Sequence, residues 1–353
     1  MSVDFGYRVA VIRTGRGSAR LPLRLLATSA ALFSAAVLMA TWAIRYGDYP
    51  LTAAEVFGTL LGGGDEFTAM IVLEWRLPVA IAAVLFGAML GIGGAIFQSL
   101  TRNPLGSPDL IGFDAGSYTA VVLLILLLGN ASYWAVAGAS LAGGMVTALV
   151  VYLLARRRGV QGFRLIIVGI AMSALLGSID DYLISRAELS DAMMVGFWGA
   201  GSIGRVTWAS LVPAGAFAVV IAVGCVLLAP ALRSMELGDD AAVTQGTRVG
   251  PTRILLIVVG VATTAIVTAA AGPIGFIALA APQMAKRIAR TPGVSLLASA
   301  AMGAAILAAA HLLSLLIGQV SHTVPVGLIT VCVGGCYLIW LLIHETRRRG
   351  GAS

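Results

Sequence analysis

Residues 77–109 read LPVAIAAVLFGAMLGIGGAIFQSLTRNPLGSPD. The first twenty-four are apolar or small, long enough for a helix that crosses a bilayer. The run then stops at Arg102-Asn103-Pro104-Leu105-Gly106-Ser107-Pro108-Asp109. Proline removes an amide donor and glycine loosens the helix, so this stretch frees backbone groups that hydrocarbon cannot satisfy. A second interruption, Gly272-Pro273-Ile274-Gly275-Phe276, follows another apolar run. Both breaks therefore need shielding by protein or a wet cavity.

Working outward, 59% of the 353 residues are hydrophobic and 11% charged, with a mean hydropathy of +0.96. That leaves too little polar surface to cover a soluble globule, so the solvent is lipid. Apolar runs predict spans at 21–44, 77–100, 110–129, 132–155, 165–184, 208–230, 254–271, 275–289, 295–318 and 325–343. The eighth is short. The expected fold is an all-α polytopic membrane protein of about ten helices. Residues 1–20 and 344–353 form terminal segments, and 21–343 form a single transmembrane domain. Because five is odd, any repeat between two five-span halves is inverted relative to the membrane.

The +7 charge is spread in short clusters between apolar runs, which reads as topology signal and not as a nucleic-acid surface. With the amino terminus inside, Arg156, Arg157, Arg158, Arg164, Arg233, Arg248, Arg253, Lys286, Arg287 and Arg347 to Arg349 all fall on the inner side. Only Arg45, Arg76, Arg186 and Arg205 fall outside. The positive-inside rule thus predicts an even span count with both termini cytoplasmic.

A P-loop requires a lysine in GxxxxGK[ST], and the one lysine, Lys286, lies in Gln283-Met284-Ala285-Lys286-Arg287. No Cys/His/carboxylate spacing suggests a metal site, and no catalytic arrangement emerges, so an enzyme is not expected. Cys225, Cys332 and Cys336 lie in apolar segments as packing residues. Asp180 and Asp181, near the outer end of the fifth span, read either as pathway lining, as a proton relay, or as a helix end emerging into water. Gln98 and Gln283 read as amides bonding across helices. Within the inner loop 233–253, Glu236 to Gln245 is predicted as a short helix with early acids, ending near Gly246. A stiff charged helix there is something a partner can push on; the alternative is an inert solvated loop.

Several of these segments resemble the signatures of the iron-chelate permease family of ATP-binding-cassette importers, which also takes in cobalamin and haem permeases. The resemblance rests on Arg76-Leu77-Pro78, on Gly94-Ala95-Ile96-Phe97-Gln98, and on Asn103, Pro104, Gly106 and Pro108 running on to Phe113. It rests also on Gly272, Pro273 and Gly275 with Ala281-Pro282, and on Val324-Pro325-Val326-Gly327. Within the family the ferric-enterobactin type looks nearest, through Asp109 to Asp114 and Phe163 to Ile167.

The resemblance implies the type II importer permease fold in a prokaryotic inner membrane, moving ferric siderophores inward. It implies pairing with a second permease and docking of two cytoplasmic ATPases that hold ATP and Mg, with no cofactor on this chain. It implies coupling to the ATPase through Glu236, Leu237, Gly238, Asp239, Asp240 and Gly246, and an inner gate at Gln161, Gly162 and Phe163. Arg76 would contact an extracytoplasmic siderophore-binding protein. Val79 and Leu316 stand where relatives place further arginines, which favours a heterodimer whose other subunit supplies that charge. Two other readings are carried forward: cobalamin or haem as cargo, and a proton-coupled secondary transporter using Asp180 and Asp181.

Overall fold

The computed structural model describes residues 9–14, 17–129, 132–155 and 162–350. A small antiparallel hairpin comes first, β1 (Val9–Thr14) and β2 (Gly17–Pro22), with Val9 opposite Pro22 and Thr14 opposite Gly17. The amino-terminal segment thus has structure of its own, outside the all-α membrane body. Pro22 ends the hairpin and α1 (Leu23–Ala43) begins at once.

Helices then occupy every predicted span: α4 (Leu77–Thr101), α5 (Phe113–Leu128), α6 (Tyr133–Ala155), α7 (Gly162–Arg186), α9 (Trp208–Glu236), α11 (Val249–Ala271), α12 (Ile277–Ala289), α13 (Leu296–Gly318) and α14 (Val326–Gly350). Among the described residues, seven are long and apolar enough to cross a membrane, shorter apolar stretches lie in α5 (113–127) and α14 (326–337), and α12 is neither. Its 13 residues reach about 20 Å at 1.5 Å per residue, short of a hydrocarbon core of about 30 Å. By its length alone α12 is therefore too short for a full crossing. Short helices α2 (Ala53–Leu60), α3 (Glu66–Ala69), α8 (Leu189–Gly199) and α10 (Asp239–Thr244) fill the connections. A π-helical turn, Met70–Arg76, joins α3 to α4.

Local chemistry explains several ends. Thr52 and Glu55 form a reciprocal capping box at α2, and the Thr52 backbone and hydroxyl hold the Glu55 carboxyl below its usual range. Helix α9 runs six residues beyond the expected end, through Pro230, because a membrane helix tolerates one missing donor where its neighbours hold it in place.

Helix α4 is the axis of the body, packed against α13, α11, α12 and α9. Small residues make this possible. A Cβ on Gly87, Gly91 or Gly94 would collide with the backbone of Gly303, Ser299 or Ala278 respectively. Such close approach gives van der Waals contact where no hydrophobic effect separates helix from lipid. Around this axis lies the main core, built on Phe86, Leu90, Ile96, Leu256, Ile277 and Leu307. Helices α5, α6 and α7 form the second half of the body, with Phe97 against Phe113 at 5.1 Å between ring centres where the halves meet.

Candidate functional site: the broken-helix junction and the short helix at one face

The first break leaves α4 through Arg102 in the left-handed region, φ 51°. Asn103, Pro104 and Gly106 then make a turn: the Gly106 N–H donates to the Asn103 carbonyl at 3.0 Å, and the Asn103 side chain accepts from Leu105 N–H at 2.9 Å. Ser107 to Ile111 coil once more, and the Phe113 N–H donates to the Pro108 carbonyl at 3.1 Å before α5 starts.

The second break leaves α11 at Gly272, φ 75°. Only glycine fits there, since a Cβ would strike the Trp198 carbonyl while the backbone is left-handed. Pro273 lies against Gly201, and Gly275 beside Val331. The Gly201 carbonyl in turn accepts from the N–H of Gly327, just past Pro325 at the start of α14. Ser202 N–H donates to the Ala271 carbonyl at 2.7 Å.

The two breaks meet each other. The Phe276 N–H, freed at the start of α12, donates to Asp109 Oδ2 at 2.9 Å. One turn on, Gln98 Nε2 donates to the Leu279 carbonyl at 2.9 Å, and Gln283 Nε2 to Gln98 Oε1 at 2.5 Å. Each interruption shields the polar backbone of the other, and the two glutamines act as the interhelical bonds expected of them. Asp109→Ala is expected to cost about 1–3 kcal/mol by orphaning the Phe276 donor. Asp109→Asn, which keeps an acceptor, is expected to cost less. Thermal unfolding of the detergent-solubilised chain compares the two, and equal losses would remove this bond from the account.

At one face of the bundle, α9 ends with Glu236 and Leu237, and Gly238 (φ 117°) turns the chain into α10. The predicted helix from Glu236 to Gln245 is thus two pieces: Glu236 closes the long helix, and the short one begins at Asp239. Its end is a Schellman cap, with Thr247 N–H donating to the Ala242 carbonyl and Gly246 N–H to that of Val243, both at 2.9 Å. Gly246 has φ 82°, where other residues strain.

Both oxygens of Asp239 accept from Arg253 Nη2 at 2.8 Å, and the Arg253 side chain is only 11% exposed. Asp239 therefore pins α10 to α11, while Asp240 is exposed. Ser234 Oγ donates to Gln245 at 2.8 Å, and Ser99 Oγ to Glu236 at 2.5 Å. Two aliphatic side chains also face outward: Leu237 is 70% and Val243 60% exposed.

At the opposite face, Arg76 donates to the carbonyls of Ile44 (2.8 Å) and Tyr49 (2.6 Å), which fixes the loop after α1 against a cavity of about 280 Å³ lined by Asp48, Trp75 and His311. Its guanidinium is engaged within the chain. The paired acids separate: Asp180 is buried and accepts from Thr119 Oγ1 at 2.9 Å, whereas Asp181 is exposed. Adjacent helix positions point about 100° apart, which turns Asp180 inward and Asp181 outward. Of the gate residues, Phe163 is 71% exposed at the start of α7, Gly162 opens that helix, and Gln161 lies outside the described residues.

The Asp109–Phe276 bond and the Asp239–Arg253 pair had no signal in the sequence beyond an acid after Pro108 and an arginine early in α11.

A polytopic helical body with broken helices meeting inside it, and a short capped helix on one face, defines a membrane transport permease. The chain belongs to the FecCD transport family, whose pattern matches residues 33–344. It is 43% identical over 326 residues to the ferric enterobactin transport system permease protein FepG of Escherichia coli K12, covering 92% of this chain and 98% of that one. It is 32% identical to the probable siderophore transport system permease protein YfhA of Bacillus subtilis 168, over 83% and 87% of the two chains. A solved structure described as an inward-facing metal-chelate type ABC transporter shares the fold, with a TM-score of 0.77 at 22% identity over 90% and 98%.

Proposed function

We propose that this chain is the permease subunit of an ATP-driven importer that carries ferric siderophores into the prokaryotic cytoplasm. The observation that carries the reading is α10, a capped and ion-paired helix that, with Leu237 at the end of α9, offers Asp240 and Val243 to a partner. Cytoplasmic ATPases supply the energy, holding ATP and Mg on their own residues. The siderophore reading draws on the 43% identity to FepG across nearly its whole length. A siderophore already saturates its iron with hard oxygen ligands, so the conduit needs no metal ligands of its own.

Segregation of the arginines supports an inner face that carries α10 and both termini. The outer face, with Arg76 and its cavity, receives an extracytoplasmic siderophore-binding protein. Because Arg76 is occupied within this chain, a second, different permease supplies the outward charge that the binding protein meets, which supports a heterodimer.

The test is uptake of ferric chelate into liposomes that contain the chain, its partner permease and the ATPases. With a dead nucleotide site on the ATPase, uptake is expected to fall to background. Continued uptake, or accumulation driven by a pH gradient in the chain alone, would replace the importer with a secondary transporter. Competition with cobalamin and haem separates the cargoes.

A further inference from the structure

A cavity of about 640 Å³ opens where the start of α1, the end of α9 and the turn between α12 and α13 converge. Arg24, Arg233 and Arg290 line it, against the single carboxylate of Glu236. That carboxylate accepts from Ser99 Oγ, which turns one of its oxygens into the protein. Among the described residues Arg233 and Arg290 have no ion-pair partner. Arg24 makes one bond, at 3.3 Å, to the Ile288 carbonyl.

Helix ends of both signs meet the cavity, the carboxyl ends of α9 and α12 with negative partial charge and the starts of α1 and α13 with positive. Arg290 caps α12 in the left-handed region, φ 50°, a conformation a branched-free side chain adopts at a cost. Helix α13 begins at the cavity wall, with Ser295 as its cap, so the positive end of its 23-residue dipole faces the same space. The cavity also has an apolar margin. Leu23 lines it at 44% exposure, and the exposed Ile288 adjoins the lining residue Ala289.

A guanidinium presents its donors as a planar fork that matches the oxygens of phosphate. Free phosphate has no use for an apolar margin, whereas a phosphodiester that carries acyl chains does. Basic pockets between the inner ends of transmembrane helices suit anionic headgroups for this reason. We infer that this cavity binds the phosphate of an anionic phospholipid headgroup, clamped by Arg233 and Arg290 with Arg24 at its edge. The site lies against the end of α9, just before Gly238 turns the chain into α10, so a bound headgroup braces the root of that short helix. The inference rests on the inward orientation proposed above only for the leaflet from which the lipid comes.

Native mass spectrometry of the full purified chain in detergent tests it, with phosphatidylglycerol and phosphatidylethanolamine of the same acyl chains as probes. Phosphatidylglycerol is expected to bind about tenfold more tightly, at roughly the energy of one or two arginine contacts. Arg233→Gln with Arg290→Gln is expected to erase that preference, Arg233→Lys with Arg290→Lys to retain part of it, and Arg248→Gln, on an exposed arginine elsewhere on this face, to leave it intact. Equal binding of the two lipids by the unaltered chain overturns the proposal whether or not the variants fold. So does full displacement of phosphatidylglycerol by inorganic phosphate, which reassigns the site to a soluble anion. Loss of ATPase co-purification in the glutamine variant with lipid preference unchanged overturns it in favour of the ATPase. Binding in micelles is read without transport, so a failed uptake experiment leaves this result standing and a failed lipid experiment leaves the importer standing.

Discussion

Gly94→Val is expected to abolish assembly of the membrane body. The position lies in the last third of α4, and any Cβ there runs into the carbonyl of Ala278, a backbone atom at the start of α12 that cannot rotate aside. Relief requires α12 to retreat, which breaks the Gln98 bonds to Leu279 and Gln283 and pulls Phe276 from Asp109. Overpacking of a tight core costs about 1–3 kcal/mol when side chains can yield, and more when only backbone can. Since the contact meets backbone and three hydrogen bonds, one buried and two part-buried, depend on it, a loss above about 3 kcal/mol is expected. Gly177→Val, in α7 where a Cβ meets nothing within 4 Å, serves as the matched control. Size-exclusion elution and thermal unfolding in detergent compare the two. A Gly94→Val chain as monodisperse and as stable as the control would show that α4 and α12 do not pack as described.

The legible part of this fold was local. Spans announce themselves because a lipid-facing helix must be apolar along its length, and Pro104, Pro108 and Pro273 mark the breaks because a missing donor has no substitute in hydrocarbon. Partnership across the fold was not legible. Asp109 and Phe276 are 167 residues apart, and nothing local says that one break satisfies the other.

The acids Asp180 and Asp181 look like a pair in one dimension, yet a helix turns them to different sides. The docking helix was displaced by three residues because acids at 236, 239 and 240 all suit a helix start, and only the backbone at Gly238 decides among them. Helix α8 escaped notice since eleven residues are too few to span a membrane and resemble an outer loop. For the candidate site, residue types were readable, but their division of labour was not: Asp239 holds the helix, and Leu237 and Val243 face outward.

That division yields the sharpest functional expectation. Leu237→Asp with Val243→Asp puts charge on two side chains that touch water and little else, so the chain is expected to fold and insert as before, within about 0.5 kcal/mol. Docking of the ATPase is expected to weaken at least about tenfold, since each apolar contact of this size contributes on the order of 1–2 kcal/mol to an interface. Uptake of ferric chelate is expected to drop to background with it. Asp239→Ala acts differently. It strands the largely buried Arg253, and with Asp239 itself 41% exposed the cost is discounted to about 1–2 kcal/mol. That variant is expected to loosen α10 against α11 and lower coupling in part, and Asp239→Glu is expected to restore most of it. Co-purification of the ATPase and uptake, measured together, separate the two effects. Normal docking by the double aspartate variant would mean that the partner grips this face somewhere other than α10, and the energy would then have to reach the broken-helix junction by another route.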